Sequence, residues 1–363
     1  MLRSPERPRW RLRRLWTGLL LVAVAGLVGA AWPPDPPARD GARIELLFVG
    51  DGFTRGQEAR FQQDVDRLWR AFAAEEPYRT YREVFRERRL DLASPLAGVG
   101  SRERATPLGM HYWCHGVERL LCADEHRVAA VTGGNEPRRR IIAVANSTTY
   151  GGAGGSASTT VGGGNPDAGP VFQHEIGHTL GGLGDEYDGA YGDDPARLDY
   201  PNLGRPGRPV PWRRWLGARD PSGGRVGAYA GADGVLRPTR DSIMRTLGSV
   251  YNLPSREALI EEFYRVASPL VAHGRRGRGG HLLWVRPLHL IGHAWIRVRW
   301  TVDGRAWSRP GCRGCSIGAT FDTGWLPPGR HRVSAVVRDA TPWVRDEAFR
   351  RRSMTRIVNW SVG

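Results

Sequence analysis

The segment VFQHEIGHTLGGLGDEYDG at 171–189 constrains this chain more than any other stretch of its 363 residues. His174 and His178 are four apart. On an α-helix that spacing puts them about 40° apart and one turn along, so both imidazoles reach a single metal ion. Phe172, Ile176, Leu180 and Leu183 form a stripe on the opposite face, which predicts a helix buried on one side with its histidines facing a cleft. Glu175 projects beside such a metal, where a carboxylate can take a proton from bound water. Gly181, Gly182 and Gly184 end the helix and let the chain turn back towards its histidine face. Neutral imidazoles suit Zn2+, which in a catalytic site needs a third protein ligand and keeps one position open.

The amino terminus limits where this chemistry takes place. Six arginines and one glutamate fall within residues 1–14, and Leu15 to Ala31 runs without a charge. A basic start, an apolar run and small residues at Val28-Gly29-Ala30-Ala31 read as an export signal. The run is also nearly long enough to stay uncleaved and anchor the chain in a membrane through residues 15–31. WPPDPP at 32–37 stops any helix at that point. The expected location is therefore the bacterial periplasm, the cell envelope or the exterior.

Export also bears on the net charge of +16, whose 53 basic residues are all arginine. Five of those sixteen units belong to residues 1–31. The clusters Arg138–Arg140, Arg275/Arg276/Arg278 and Arg350–Arg352 have no interleaved aromatics for base stacking. A nucleic-acid partner is not expected, and the arginines read as solvated faces.

The rest of the chain divides by its periodicity. RIELLFVGDGFT (43–54) reads as a buried strand closed by a Gly-Asp-Gly turn, and Phe61, Val65, Leu68, Trp69 and Phe72 follow a helical period. Further strands are expected at Val84–Leu92 and 140–147, and a helix over 255–268 with Ser255 as its N-cap. Strand, helix and strand in this order imply an α/β layer arrangement. HGRRGRGG (273–280) reads as a linker. Beyond it Ile296, Val298 and Trp300 alternate with Arg297 and Arg299, and Val333, Ala335 and Val337 alternate again, the pattern of a small β-sandwich. The expected layout is a signal peptide or anchor (1–31), a proline-rich linker (32–41), a domain built around the candidate metal helix (42–272), an Arg/Gly linker (273–280) and a β-sandwich (281–363). Four cysteines in an exported chain predict two local disulfides, Cys114–Cys122 and Cys312–Cys315.

HEIGHTLGGLGDEY, VGDGF near the start of the domain, and DSIMR (241–245) with the later YNLPSREAL resemble peptidase family M64, the IgA peptidase family. Its members are zinc metallopeptidases related to the metzincins. The likeness covers about residues 42–270 and extends to the β-rich tail, since members often end in an immunoglobulin-like domain. It implies an α/β (α+β) metzincin-like zinc peptidase domain followed by a small Ig-like β-sandwich, one catalytic Zn2+, and protein or peptide substrates. His174 and His178 match the zinc histidines, Glu175 the general base, and Met244 the methionine turn that floors the metal. Where many metzincins carry a third histidine, this chain has Gly184, and the DEY of the family points to Asp185 as the third ligand. Glu186 or a more distant residue remains open as that ligand. The acidic run Asp185, Glu186, Asp188, Asp193, Asp194 also leaves room for a Ca2+ site. The implied reaction is hydrolysis of a peptide bond by a metal-activated water with Glu175 as general base. Tyr187, Tyr229, Arg245 and Tyr251 are the candidate oxyanion donors. The glycine-rich stretch 150–164 reads either as an edge strand that pairs with substrate or as a surface loop. The competing function is a catalytically idle binding or adhesion protein of the envelope on a metallopeptidase scaffold. The oligomeric state stays open.

Overall fold

The computed structural model describes residues 41–363 except 135, 137, 156, 157, 191–198, 233 and 308–317. The expected export segment, the expected proline-rich linker before residue 41, Cys312, Cys315, Asp193 and Asp194 lie outside the described residues.

Strand β1 (Ile44–Asp51) is buried at all eight positions, as befits the middle of a sheet covered on both faces. It pairs in parallel with β2 (Phe85–Leu90) on one side and β3 (Arg139–Ala145) on the other. β3 pairs in parallel with β5 (Thr159–Gly162), and β4 (Gly152–Gly154) runs antiparallel to β5 at the end of the sheet. Alternation along β1 sorts its side chains between two cores. Leu46 and Phe48 face α1 (Glu58–Ala74) and α3 (Ala168–Gly181), where Phe61, Val65, Leu68, Phe72, Phe172 and Ile176 are buried with them. Leu47 and Val49 face Leu108, Met110, Tyr112, Leu121 and Val128, the last from the short α2 (Glu125–Thr132). The Gly-Asp-Gly turn has a structural use. The Asp51 carboxylate accepts from Thr106 Oγ1 at 2.8 Å and from the Leu108 and Met110 amides at 2.9 Å. Burial pushes its pKa up.

A two-stranded ribbon, β6 (Tyr229–Ala230) and β7 (Leu236–Arg237), follows. Helix α4 then spans Leu253–Val266. Its N-cap lies three residues before the Ser255 cap expected from the sequence. The cap is Asn252, whose side chain accepts from the Ser255 amide at 3.0 Å. Pro254 fits inside the first turn because no intrahelical partner is lost there.

Residues 273–280 are not a linker. They finish β8 (Leu270–Arg276) and supply the turn into β9 (Leu282–Pro287), with Gly274 opposite Trp284. The arginines and glycines that suggested a tether instead decorate the solvated side and turn of a hairpin. β12 (Thr320–Asp322) completes this sheet in the order β12-β9-β8. A second antiparallel sheet has the order β11-β10-β13-β14, from β10 (Ile296–Val302), β11 (Arg305–Ala306), β13 (His331–Asp339) and β14 (Thr355–Val362). Leu283, Val285 and Phe321 of one sheet and Trp300, Val333, Ala335, Val337 and Trp360 of the other share a single core. Helix α5 (Glu347–Ser353) carries Phe349, which joins Val344 and Met354 in the core of α1, α3 and α4. Buried Asp339 reinforces this junction by accepting from Tyr81 Oη at 2.6 Å and Tyr264 Oη at 2.7 Å. The described residues thus form a mixed α/β structure with five α-helices and several sheets.

Candidate active site

Helix α3 holds a close group of candidate ligands, His174, Glu175 and His178. The expected stripe is present, with Phe172, Ile176, Leu180 and Leu183 all buried. The helix stops where Gly182 adopts φ +56° and the Leu183 amide bonds back to the Gly177 carbonyl at 3.3 Å, a left-handed glycine closure. Gly177 sets how close the next layer comes. A Cβ there would lie 2.9 Å from both Met244 Sδ and Tyr251 Oη. Met244, fully buried, therefore packs directly under the helix.

Each imidazole is oriented by a backbone carbonyl. His174 Nδ1 donates to Ile243 O at 2.9 Å and His178 Nδ1 to Leu183 O at 2.6 Å. Carbonyl oxygens only accept, so both Nδ1 atoms carry hydrogen and both neutral Nε2 atoms present lone pairs. These two Nε2 atoms are 3.2 Å apart. Asp185 Oδ1 stands 2.9 Å from His174 Nε2 and 3.3 Å from His178 Nε2. Three electron-pair donors thus face one point, an arrangement that repels itself unless a cation occupies it. A tetrahedral zinc shell with bonds of about 2.0–2.1 Å has ligand–ligand edges of roughly 3.3–3.4 Å. The donor set fits such an ion in both chemistry and spacing. A proton is the other cation that meets the need. Burial opposes charge on His178, but the neighbouring Asp185 carboxylate overrides it and pushes the pKa up to about 9. Burial likewise opposes charge on Asp185, and the His178 and His174 imidazoles nevertheless hold it well below the usual carboxylate range.

Glu175 shares the cluster without joining its short edges. It lies with both histidines in a group whose donor atoms are all within 4.8 Å of one another. Its approach of Oε2 to His178 Nε2 is 4.0 Å, longer than the 2.9 and 3.3 Å of Asp185 to the two imidazoles, so the shorter edges fit Asp185 as a third ligand. Burial pushes the Glu175 pKa up, against the pull of the imidazoles.

Glu186, the alternative ligand, turns the other way. Its carboxylate accepts from Asn202 Nδ2 at 2.9 Å, Asn252 Nδ2 at 3.0 Å and Ser242 Oγ at 2.7 Å. Its own amide donates to Met244 O at 2.8 Å. Burial pushes its pKa up to about 7, and hydrogen bonds from Asn202, Ser242 and Asn252 act against that rise. Asn202 also clamps Gly184, accepting from its amide and donating to its carbonyl, both at 2.8 Å. This buried polar hub joins the loop at 184–186, the turn at 242–245 and the N-cap of α4. Asp188 points to a third set of partners, Arg237 Nη1 at 3.0 Å and Arg245 Nη2 at 3.3 Å. The described members of the acidic run do not converge, so the run does not assemble the expected calcium site from Asp185, Glu186 and Asp188.

With this geometry in place, comparison with known families decides what kind of protein it is. The model of the IgA Peptidase M64 family matches residues 37–218, half of the chain. The chain belongs to the IgA peptidase M64 family. Membership supports a metallopeptidase with a metal cofactor and protein or peptide substrates. The matched span contains the histidine pair, Glu175, Asp185 and Asn202, and ends before Met244. No curated protein matches the chain.

In this M64 member the cluster opens into a cleft of about 150 Å³ lined by His174, Glu175, Arg119, Tyr150, Tyr187 and Arg245 among others. Gly151 and Gly152 also line it. Of the 150–164 stretch, Gly152–Gly154 is a strand at the sheet's end and not a loop. It lies so close on α3 that a Cβ at Gly154 would come within 2.4 Å of the Glu175 carbonyl oxygen. Two of the four candidate oxyanion donors, Tyr187 and Arg245, reach the cleft. Tyr251 is fully buried and donates to the Gln173 carbonyl, and Tyr229 Oη donates to Arg225 O at 2.9 Å.

The expected Cys114–Cys122 disulfide is present, which hints at an extracellular or periplasmic location. It also rules out metal binding by the grouped Cys114, His115 and Cys122, because the thiolates are spent in the bond. Among the described residues no helix is long and apolar enough to cross a membrane. Contributors without a counterpart in the sequence analysis include the Ile243 and Leu183 carbonyls, Asn202 and Arg119. None carries a local signal, since a carbonyl is present at every residue and Arg119 is one of 53 similar side chains.

Proposed function

We propose that the chain is an exported zinc-dependent endopeptidase in which His174, His178 and Asp185 hold the metal and Glu175 is the general base. The observation that carries this reading is the meeting of three lone-pair donors within 3.3 Å of one another, with Glu175 beside them in an open cleft. When bound, zinc supplies Lewis-acid polarisation of a peptide carbonyl and lowers the pKa of water towards neutrality. Glu175 Oε2 takes the proton of the attacking water and hands it to the leaving amine. Burial favours this exchange by bringing the carboxyl's pKa nearer to neutral. The Ile243 and Leu183 carbonyls keep the imidazoles in the tautomer that offers Nε2. Tyr187 and Arg245 serve as donors to developing negative charge on the carbonyl oxygen. Beyond Gly152, whose amide the Arg119 carbonyl already holds, the outer edge of β4 takes an extended peptide by main-chain hydrogen bonds. Met244 acts as the apolar floor of the site. We further read the α/β part as metzincin-like and the paired antiparallel sheets as an Ig-like sandwich that begins at β8.

Zinc analysis of the purified protein is expected to give close to one ion per chain in the wild type and none in His174→Ala. Cleavage of a peptide library should stop with a chelator and return with zinc. Glu175→Gln should keep the metal and lose activity. A Glu175→Gln protein as active as wild type would sink the mechanism, and a wild type that binds no metal would sink the assignment.

A further inference from the structure

We infer that Arg119 is a specificity-determining residue of the cleft, selecting peptides that present a carboxylate close to the scissile bond. This inference rests on the peptidase reading above and names its substrate class.

The mounting of Arg119 is the first support. Residues 111–122 form a hairpin whose arms exchange hydrogen bonds between His111 and Cys122, both at 3.0 Å. The Cys114–Cys122 disulfide closes it. The Arg119 carbonyl accepts from the Gly152 amide at 3.3 Å, so its backbone is fastened to the first residue of β4. Asp51 holds the start of the same segment from the sheet through Thr106, Leu108 and Met110. The backbone that carries Arg119 is thus a braced arm at the rim of the site.

Its charge balance is the second support. The side chain lines the cleft with His174, Glu175 and Tyr187. Nη2 donates to Tyr187 Oη at 3.4 Å, and the guanidinium lies 5.8 Å from that ring's centroid. Among the described residues no carboxylate lies within ion-pair distance of Arg119. Arg245, the other arginine of the cleft, is paired with Asp188 at 3.3 Å. A guanidinium has five N–H donors in a planar fork, and one hydroxyl occupies only part of it. The remaining face matches a carboxylate, which takes two parallel N–H bonds. Peptides supply that group in two ways, as an Asp or Glu side chain or as the chain's own C-terminus.

The test uses octapeptides of alanine and serine with a quenched fluorophore pair, each carrying one Glu, Gln or Lys moved through every position. Each is made with a free and with an amidated C-terminus. For the zinc-loaded wild type, the best Glu peptide, or the free-acid form, should exceed its Gln or amide counterpart by about 10–100-fold in kcat/KM. That ratio should fall to near one in Arg119→Gln. Arg119→Glu should reverse the preference towards the Lys peptide, a change that loss of structure cannot mimic. Dependence on the side chain or on the free terminus tells which carboxylate is read, and either upholds the inference. Equal cleavage of charged and neutral peptides by wild type, or a ratio unchanged in Arg119→Gln, overturns it while leaving the peptidase reading intact. Anisotropy titrations of the same peptides on a Glu175→Gln background separate the two ideas from the other side. Tighter binding of the carboxylate peptide, lost with Arg119→Gln, in a protein whose parent cleaves nothing would sink the peptidase reading alone.

Discussion

Asp185 and Glu186 are neighbours in sequence and occupy opposite worlds. Asp185 faces two imidazole lone pairs at 2.9 and 3.3 Å. Glu186 is sealed behind it among two amides and a hydroxyl. Both pay for burial, yet the imidazoles pull the Asp185 pKa far down while Glu186 is pushed up to about 7. The difference lies in the partners. Groups that can carry positive charge or share a metal ion hold Asp185 ionised, whereas neutral donors offset only part of the desolvation cost of Glu186. One cluster is built to need a cation. The other is built to fix a loop.

Substitutions should break the pair along this line. The largest effect is expected from Asp185→Ala, which removes the proposed third ligand. Zinc affinity, measured by competition with a chromophoric chelator, should fall by more than the roughly 10–100-fold typical of losing an outer hydrogen-bond partner. Thermal unfolding of the metal-free protein should change far less. Glu186→Ala reverses the order of effects. It strands Asn202, Asn252 and Ser242, each a buried donor whose lost partner costs about 1–3 kcal/mol, and urea unfolding of the metal-free protein should show a loss of several kcal/mol. Equal effects of the two substitutions on metal affinity would refute the division. Asn202→Ala tests the link between the clusters. It frees Gly184 while leaving every ligand in place, so a loss of about 2–4 kcal/mol should come with a smaller loss of metal affinity than Asp185→Ala causes.

A third carboxylate sharpens the contrast and gives the smallest effect. Burial pushes the Glu261 pKa up to about 7, and the Glu257 and Asp346 charges add to the rise. Its folded-state pKa is above the unfolded value near 4.5, so folding disfavours its charged form. Its contribution is most favourable below about pH 4.5 and is lost as pH rises through 7. Glu261→Gln should therefore stabilise the protein at pH 8, by about 3 kcal/mol at most, and change little at pH 4. Urea melts at both pH values check the sign, and a gain at pH 4 that vanishes at pH 8 would contradict it.

These residues also mark how far the sequence could be read. The helix of 171–181, its apolar stripe, its glycine stop and the two histidines four apart depend on one turn of local geometry, and they appear as expected. So does the Cys114–Cys122 loop, whose ends are close along the chain. The α4 start and the β8–β9 hairpin are less legible in the sequence. Asn252 competes with Ser255 as a cap through a hydrogen bond to the Ser255 amide. Arg275 and Arg276 resemble a tether until β9 supplies the other half of their ladder.

The sequence by itself determined that a helix would bring two imidazoles to one point beside a glutamate, because helical pitch and spacing suffice for that. Tertiary structure alone decided which adjacent acid meets them, which carbonyl sets each tautomer, and which of 53 basic residues overlooks the cleft. Those outcomes depend on contacts such as Ile243 with His174, Asn202 with Gly184 and Arg119 with Gly152. These partners are far apart along the chain, and only packing of the sheet, the methionine turn and the disulfide hairpin brings them within hydrogen-bond reach.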